Sequence, residues 1–460
     1  MTATQHSPEE LLTLAVDTAR EAGASASDAV FVMGRSTSVK VRLGFVEEIV
    51  QNRDHGLGVR VLVGTEGALR TASTTTSDLR PEAIQALIRE IVAAARLTAP
   101  DPFAGLADAD DTDIPGAPRP EDLDLWDEAV VALGPDEAIR LAIATEKAAL
   151  DCDPRLENSE GGEMSWGWGR FLLKTSHGMF QDKRSTSLSL WTTPVAVSGD
   201  EKQRDYWYSS ARHMEDLLTP EVIGREAARR ALRRLGARQP KTCQVPVIFE
   251  APTASRLIGT ISGAANGGAI YRDSSWLCGK MGDRIASELV SLEDNPWLKR
   301  SSASRLRDAE GLPTRPFHIV ENGRLSSWVL DSYAGRKLGL PSTRSAWRGL
   351  SGAPSPGTSN LWMTPGTTTL DAMIRDMGQG LVVTDTFGSG ANTVNGDYSQ
   401  GVVGLWVENG EIAYPVNELT IASTLGQLWN QVDAVGNDLD RTRSTSAPSF
   451  RVDKMTIAGS

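Results

Sequence analysis

Cysteine and histidine are both scarce here: of 460 residues, three are Cys and five are His. Cys152, Cys243 and Cys278 are odd in number, far apart and without a C-x-x-C, which argues against a disulfide framework or a sulfur-rich zinc site and for a reducing compartment. His6, His55, His177, His213 and His318 have no second His four or five residues away and no adjacent Glu. Each therefore reads as a surface or turn histidine, not a metal ligand. Cations are short too: Lys plus Arg total 47 against 59 Asp plus Glu, a formal net charge of -12. Phosphate affinity comes from surplus positive charge, so nucleic acid is disfavoured as a partner. No stretch approaches the roughly 18 apolar residues of a membrane span, and the amino terminus lacks the cationic-then-apolar order of a signal peptide. The expected location is the cytoplasm. The serine-hydrolase elbow G-x-S-x-G and the phosphate loop G-x-x-x-x-G-K-[ST] are both missing, and those two chemistries fall away.

What is present is a globular composition: 40% hydrophobic, 23% charged, with 12 Trp, 6 Tyr and 9 Phe. At about 150 residues per domain the length fits three units or two larger ones. Ser7, Pro8, Glu9 and Glu10 read as an N-cap, a helix-compatible Pro and the carboxylate of a capping box, starting a helix over 8–22. Strand alternation follows over 28–34 and 37–52 with Gly44 as the turn, then 58–63 and 68–74 around Gly64 to Gly67, and a helix over 81–97. Residues 98–124 carry five Pro and eight acidic residues and read as a surface excursion. Asp108, Asp110, Asp111 and Asp113 lack the Gly and bidentate Glu of a calcium loop, so a solvated acidic loop is the reading. A helix over 135–150 and long meandering strands to about His213 complete an amino-terminal α+β domain, 1–218.

Thr219 and Pro220 cap a helix ending near Gly236, the expected hinge. Its Arg225, Arg229, Arg230, Arg233 and Arg234 form a basic face; i, i+4 pairing of Glu221 with Arg225 and Glu226 with Arg230 makes it an ordinary solvated helix. The carboxy-terminal domain, 219–460, reads as mainly antiparallel β. Strands are expected over 244–250, 314–320, 325–330, 380–387, 402–407 and 412–416, with Asn322-Gly323 and Asn409-Gly410 as hairpin turns. Short helices are expected over 252–264, 370–377 and 422–432. Gly259 and Gly263 read as a close-packing stripe on the first of these, with Gly267-Gly268 as its stop. The glycine-rich loop Phe387 to Asn392 before Gly396 to Gly401 has two open readings: backbone exposed to a substrate, or a plain strand connection.

Longer strings carry more. Gly396-Asp397-Tyr398-Ser399-Gln400-Gly401, then Gly404-Leu405-Trp406-Val407-Glu408-Asn409-Gly410-Glu411-Ile412, and Ala434-Val435-Gly436-Asn437-Asp438 resemble the TldD/PmbA metalloprotease family, PmbA (TldE) branch. So do Asp101-Pro102-Phe103-Ala104-Gly105-Leu106, Val247-Ile248-Phe249-Glu250-Ala251-Pro252 and Asp331-Ser332-Tyr333-Ala334-Gly335-Arg336. The resemblance runs in order along nearly the whole chain. It implies a subunit of a cytosolic heterodimeric metalloprotease that cleaves unfolded or modified peptides. TldD-type chains hold zinc with H-E-x-x-x-H on a helix and a downstream Cys. In the corresponding helix here, Leu257 to Ala265, those positions are taken by Gly259, Thr260 and Ala264, and no Cys follows Cys278.

The resemblance thus implies no catalytic residue and no metal in this chain, with zinc in a TldD-like partner subunit. A second copy of this chain is the other candidate partner. It also implies that Gly388, Ser389, Gly390, Asn392, Gly396, Asp397, Tyr398 and Ser399 line the substrate cleft, where an extended peptide can add to a strand edge. Two rival readings stand beside it: a stand-alone metallopeptidase with unusual Asp, Glu or His ligands, and a non-enzymatic modulator of DNA gyrase.

Overall fold

The computed structural model describes residues 6–108, 114–388 and 390–459. Its first half is a seven-stranded antiparallel sheet in the order β3-β2-β1-β4-β5-β6, with β7 also on β5. The strands are β1 (Ala26–Arg42), β2 (Phe45–Val63), β3 (Arg70–Thr76), β4 (Asn158–Thr175), β5 (Phe180–Ser198), β6 (Glu201–Arg204) and β7 (Trp207–Ala211). β1 and β2 are longer than the alternation implied, and form one hairpin about Leu43 and Gly44, both at positive φ. Helices α1 (Pro8–Glu21) and α2 (Pro81–Ala95) bury Leu11, Leu12, Ile84 and Ile88 against Val59 and Leu172. The expected capping box of α1 is made: Glu10 N donates to Ser7 Oγ at 3.2 Å and Ser7 N to Glu10 Oε2 at 2.8 Å. Helices α3 (Pro135–Leu150) and α4 (Pro220–Leu232) cover the other end of the sheet. There Leu141 and Ile223 meet Met164, Leu188 and Leu190.

The second half holds β8 (Cys243–Phe249), β9 (Gly380–Phe387), β10 (Asp397–Glu408), β11 (Glu411–Thr424), β12 (Val432–Val435) and β13 (Phe450–Ala458). They run in the order β11-β10-β9-β8-β13-β12, and β13 pairs back onto β11, closing five of the strands into a ring. All pairings are antiparallel except β8 with β9. Helix α5 (Ala251–Ala264) follows β8 and buries Leu257, Ile258 and Ile261 in the same core as Phe249, Trp429 and Phe450. A small second sheet joins the hairpin Phe317–Glu321 and Arg324–Leu325 to Leu292–Asp294 and Leu361–Met363. Both Asn-Gly turns have both residues at positive φ, as expected of tight hairpins.

Several expectations change. Residues 326–330 are not strand, and the helix expected over 422–432 is only Leu425–Asn430, because β11 runs on to Thr424. The described parts of the excursion, 98–108 and 114–124, are tied to the second half and are not a free loop. Arg336 donates to the carbonyls of Phe103, Gly105 and Leu106, Tyr333 Oη donates to Asp101 at 2.7 Å, and Asp124 pairs with Arg300 at 2.6 Å. Asp110, Asp111 and Asp113 lie outside the described residues. His213 is buried, its Nε2 2.9 Å from the carbonyl of Asp124, and is not a surface histidine.

The basic helix is a solvated face only in part. Arg230 and Arg233 reach Glu250 at 3.4 and 2.7 Å, Arg234 reaches Asp385 at 3.0 Å, and both Arg230 and Arg234 approach buried Asp205. Glu226 pairs with Arg229, and Arg225 donates to the backbone of Glu221, so neither expected i, i+4 pair forms. Arg230, Arg233 and Arg234 are consumed by partners across the seam between the halves, while Arg225 and Arg229 stay exposed and bond within the helix. A second buried ion group crosses that seam: Asp28 of β1 accepts from Arg60 of β2 (Nε at 2.8 Å) and from Arg348 of the second half. Gly56 and Gly58 make this approach possible, since a Cβ at Gly58 would lie 1.9 Å from the carbonyl oxygen of Leu350.

Candidate functional site

Helix α5 is amphipathic in an unusual sense. One side is sealed in the core, while Arg256, Gly259, Thr260 and Gly263, which recur at the helical period, share the accessible side. A Cβ added at Gly259 or Gly263 would meet nothing within 4 Å. The close-packing reading of these glycines is therefore overturned: they face open space. The close approach occurs at Gly267, where a Cβ would lie 2.5 Å from Leu330 Cδ2 and 2.7 Å from Ala334 Cβ.

The glycine-rich loop stands at the end of this face. Ser275 Oγ donates to the carbonyl of Ala264 at 2.6 Å, and the next residue, Trp276, donates its N–H to the carbonyl of Thr393 at 3.0 Å, so one short segment links the helix end to the loop. The loop is built by its own bonds. Asn392 N donates to the carbonyl of Asp397 at 2.9 Å, Gly396 N to that of Asn392 at 2.8 Å, and Ser399 N to that of Gly390 at 2.8 Å. Gln400 Nε2 holds the carbonyls of Phe387, Gly388 and Gly401 from beneath. A Cβ at Gly396 would touch Trp276 at 3.4 Å.

The eight residues expected in the cleft therefore divide. Gly388, Asn392, Asp397 and Ser399 are exposed and Gly390 is half-buried. Gly396 is buried, and Tyr398 is 4% exposed with its ring in the core, where burial pushes the phenol pKa up. Strand alternation explains the division, since Asp397 and Ser399 point out of β10 and Tyr398 and Gln400 point in. Ser389 lies outside the described residues. Arg256 extends along the open side to Asp385 Oδ1 at 3.1 Å and Thr386 Oγ1 at 3.0 Å, tying α5 to the strand that leads into the loop.

The three positions of the resemblance do not fit a zinc ion. Gly259 has no side chain, Thr260 Oγ1 donates to the carbonyl of Leu257 at 2.7 Å, and Ala264 is fully buried. Among the described residues, no group of three or more His, Cys, Asp or Glu is placed to hold a metal ion.

The most perturbed carboxylates lie elsewhere and had no local signal. Glu310 accepts from Ser332 N and Oγ at 2.9 and 2.7 Å, close to Asp308, and burial pushes both acids above the usual carboxylate range. Asp294, bonded by Ser359 N and Oγ, is raised to about 6 by burial. Their enclosure depends on segments far apart in the chain.

A helix-backed antiparallel sheet joined to a strand ring, with an open helix face beside a glycine-rich loop, defines an α+β protein of the kind the sequence implied. Three consecutive stretches match the PmbA/TldA metallopeptidase domains: domain 1 over 27–95, the central domain over 130–235 and the C-terminal domain over 242–459. The chain belongs to the PmbA/TldD metallopeptidase family. It is 39% identical to metalloprotease PmbA of Escherichia coli O157:H7, over 98% of this chain and 96% of that one. A TldD homologue of Haemophilus influenzae matches at 23% identity over 52% of this chain and 53% of its own length. Among solved structures, a protein from Bacteroides thetaiotaomicron proposed to modulate DNA gyrase superposes with a TM-score of 0.88 at 29% identity, covering 98% of this chain and 99% of that one. TldE from Thermococcus kodakarensis superposes at 0.84 with 21% identity, covering 98% and 100%.

Proposed function

We propose that this chain is the metal-free subunit of a two-chain peptidase, working beside a zinc-bearing TldD-type partner on flexible peptides. The observation that carries the reading is the open side of α5: the place where the partner type holds its ion here presents Gly259 and Thr260, neither able to ligate zinc or accept a proton. When bound in the partner, zinc would polarise a scissile carbonyl and activate a water. This chain's own residues do something else. The bare side of α5 leaves room for an extended backbone. Exposed Gly388, Asn392, Asp397 and Ser399 offer backbone and side-chain hydrogen bonds along that room. Arg256, held by Asp385 and Thr386, and the linkage through Ser275 and Trp276 keep helix and loop in fixed relation.

The test is metal analysis of the chain purified alone, with peptide cleavage measured for the chain, for a TldD-type subunit from the same cell, and for the mixture. The expected result is no stoichiometric metal, no cleavage by this chain alone, and cleavage on mixing. About one zinc per chain with chelator-sensitive cleavage by the chain alone would overturn the reading in favour of unusual ligands. Binding to DNA gyrase, with no effect on the zinc subunit, would overturn it in favour of a modulator.

A further inference from the structure

Away from α5, a second cleft opens between the first-half sheet and the second-half segment 298–307. One part, of about 710 Å³, is lined by Lys183 and Arg305; an adjoining part, of about 650 Å³, is lined by Arg212 and a row of serines that includes Ser187, Ser189 and Ser302. In a chain of net charge -12 this local surplus of cations is out of keeping with the whole.

Lys183 projects from β5; burial, and after it the charges of Arg212 and Arg305, lower its pKa to about 7. Among the described residues the side chain of Lys183 has no hydrogen-bond or ion-pair partner. The two arginines are anchored, and among the described residues neither is neutralised by an ion pair. Arg212 donates to the carbonyls of Thr186 and Ser302, while Arg305 donates to that of Ala346 at 2.8 Å and stacks 4.2 Å over the Trp347 ring. Each has a buried Nε without an acceptor. Asp308 and Asp294 act on Arg305 electrostatically, but Asp308 is bonded by the N–H groups of Glu310, Leu312 and Ala346, and Asp294 by Ser359.

The carboxylates lining the first part are committed elsewhere. Asp182 pairs with Arg170 at 2.7 Å, Asp124 with Arg300 at 2.6 Å, and Glu121 with Arg119 at 3.1 Å. Among the described residues these three basic groups have no ion-pair partner, and a site of this kind has room for an oxyanion.

The adjoining backbone narrows what bears that oxyanion. β7 pairs with β5 only over Leu188 to Thr192 and β6 only over Val195 to Ser198, so among the described residues β5 has no strand on this side before Leu188. Thr186 shows which way this edge faces: its N–H donates to the carbonyl of Leu125 and its own carbonyl accepts from Arg212, both away from β4. N–H and C=O directions alternate along a strand, so those of Arg184 and Asp182 face the same open side. An extended backbone can add there while its charged end meets the three cations.

We propose that this cleft binds the free α-carboxylate end of an extended peptide, with the β5 edge at Asp182 to Arg184 holding its backbone and Lys183, Arg212 and Arg305 holding its carboxylate. The choice of a peptide rests on the peptidase-subunit reading above; the oxyanion requirement does not.

The test uses the full chain alone and a fluorescein-labelled hexapeptide with a free carboxylate, its C-terminal amide, and inorganic phosphate as competitor, read by anisotropy. Expected are binding of the acid at least tenfold tighter than of the amide, displacement of the acid by phosphate, and loss of the acid-over-amide preference in Lys183→Met with its retention in Lys183→Arg. Equal binding of acid and amide by the unaltered chain overturns the proposal whether or not the variants fold. So does a preference that survives in a folded Lys183→Met protein, or phosphate binding with no peptide binding. Cleavage on mixing with the zinc subunit, without acid-over-amide preference, sinks this inference alone. Preference without cleavage on mixing sinks the subunit reading alone.

Discussion

Asp28 lies between two arginines from different parts of the chain, Arg60 and Arg348, and all three side chains are buried. Its carboxyl is held below the usual range; burial opposes this and the two guanidinium groups overcome it. Breaking such a group by removing one partner leaves charge buried without compensation, which typically costs about 3–5 kcal/mol. Asp28→Asn is therefore expected to lower unfolding free energy by about that amount in urea denaturation, with the slope unchanged. A loss under about 1 kcal/mol would show that the seam relaxes or admits water. Neither Asp28 nor Arg348 was singled out by sequence, because an ion pair 320 positions apart leaves no spacing to read.

Helix α5 shows how the same residue type serves opposite ends within one element and the turn that follows it. Gly263 faces open space, so Gly263→Ala is expected to stabilise by about 0.5–1 kcal/mol through reduced backbone entropy of the unfolded chain. Gly267 faces Leu330 and Ala334 at 2.5 and 2.7 Å, so Gly267→Ala is expected to cost about 1–3 kcal/mol by overpacking. Thermal melts of the two variants check the pair; a destabilising Gly263→Ala would mean that something covers this side of the helix in solution. Sequence placed the helix correctly to within a residue, from its capping Pro and apolar spacing, yet assigned its glycines to packing. Spacing shows that two glycines share a side; only the neighbouring elements decide whether that side is filled.

For the whole molecule, the buried acids set a pH dependence. Asp294 is raised from an unfolded value of about 3.9 to about 6, so its contribution to stability is full below pH 4 and lost as pH rises through 6. Asp308 and Glu310 are shifted in the same direction by burial. Asp28 and Glu250 are lowered, so their contributions are already complete above the ordinary carboxylate range and are lost only on acidification. Lys183, lowered to about 7, adds no slope below that pH. The melting temperature is therefore expected to fall between pH 5 and 7, and Asp294→Asn to flatten part of that fall. A flat or rising profile would mean that these acids are hydrated or ionised in the folded protein.

By itself the sequence determined the α+β class, the capping box of α1, the two Asn-Gly hairpins and the limits of α3, since each depends on residues within a few positions of one another. It also determined the family, through strings long enough to survive as strings. Tertiary structure alone decided that Arg230, Arg233 and Arg234 join the two halves, that His213 is buried, that Tyr398 turns inward while Asp397 and Ser399 turn outward, and that the Lys183 side chain stands beside Arg212 and Arg305 with no ion-pair partner among the described residues. Those outcomes are set by which distant segments come to lie against one another, and burial and unpaired charge exist only once they do.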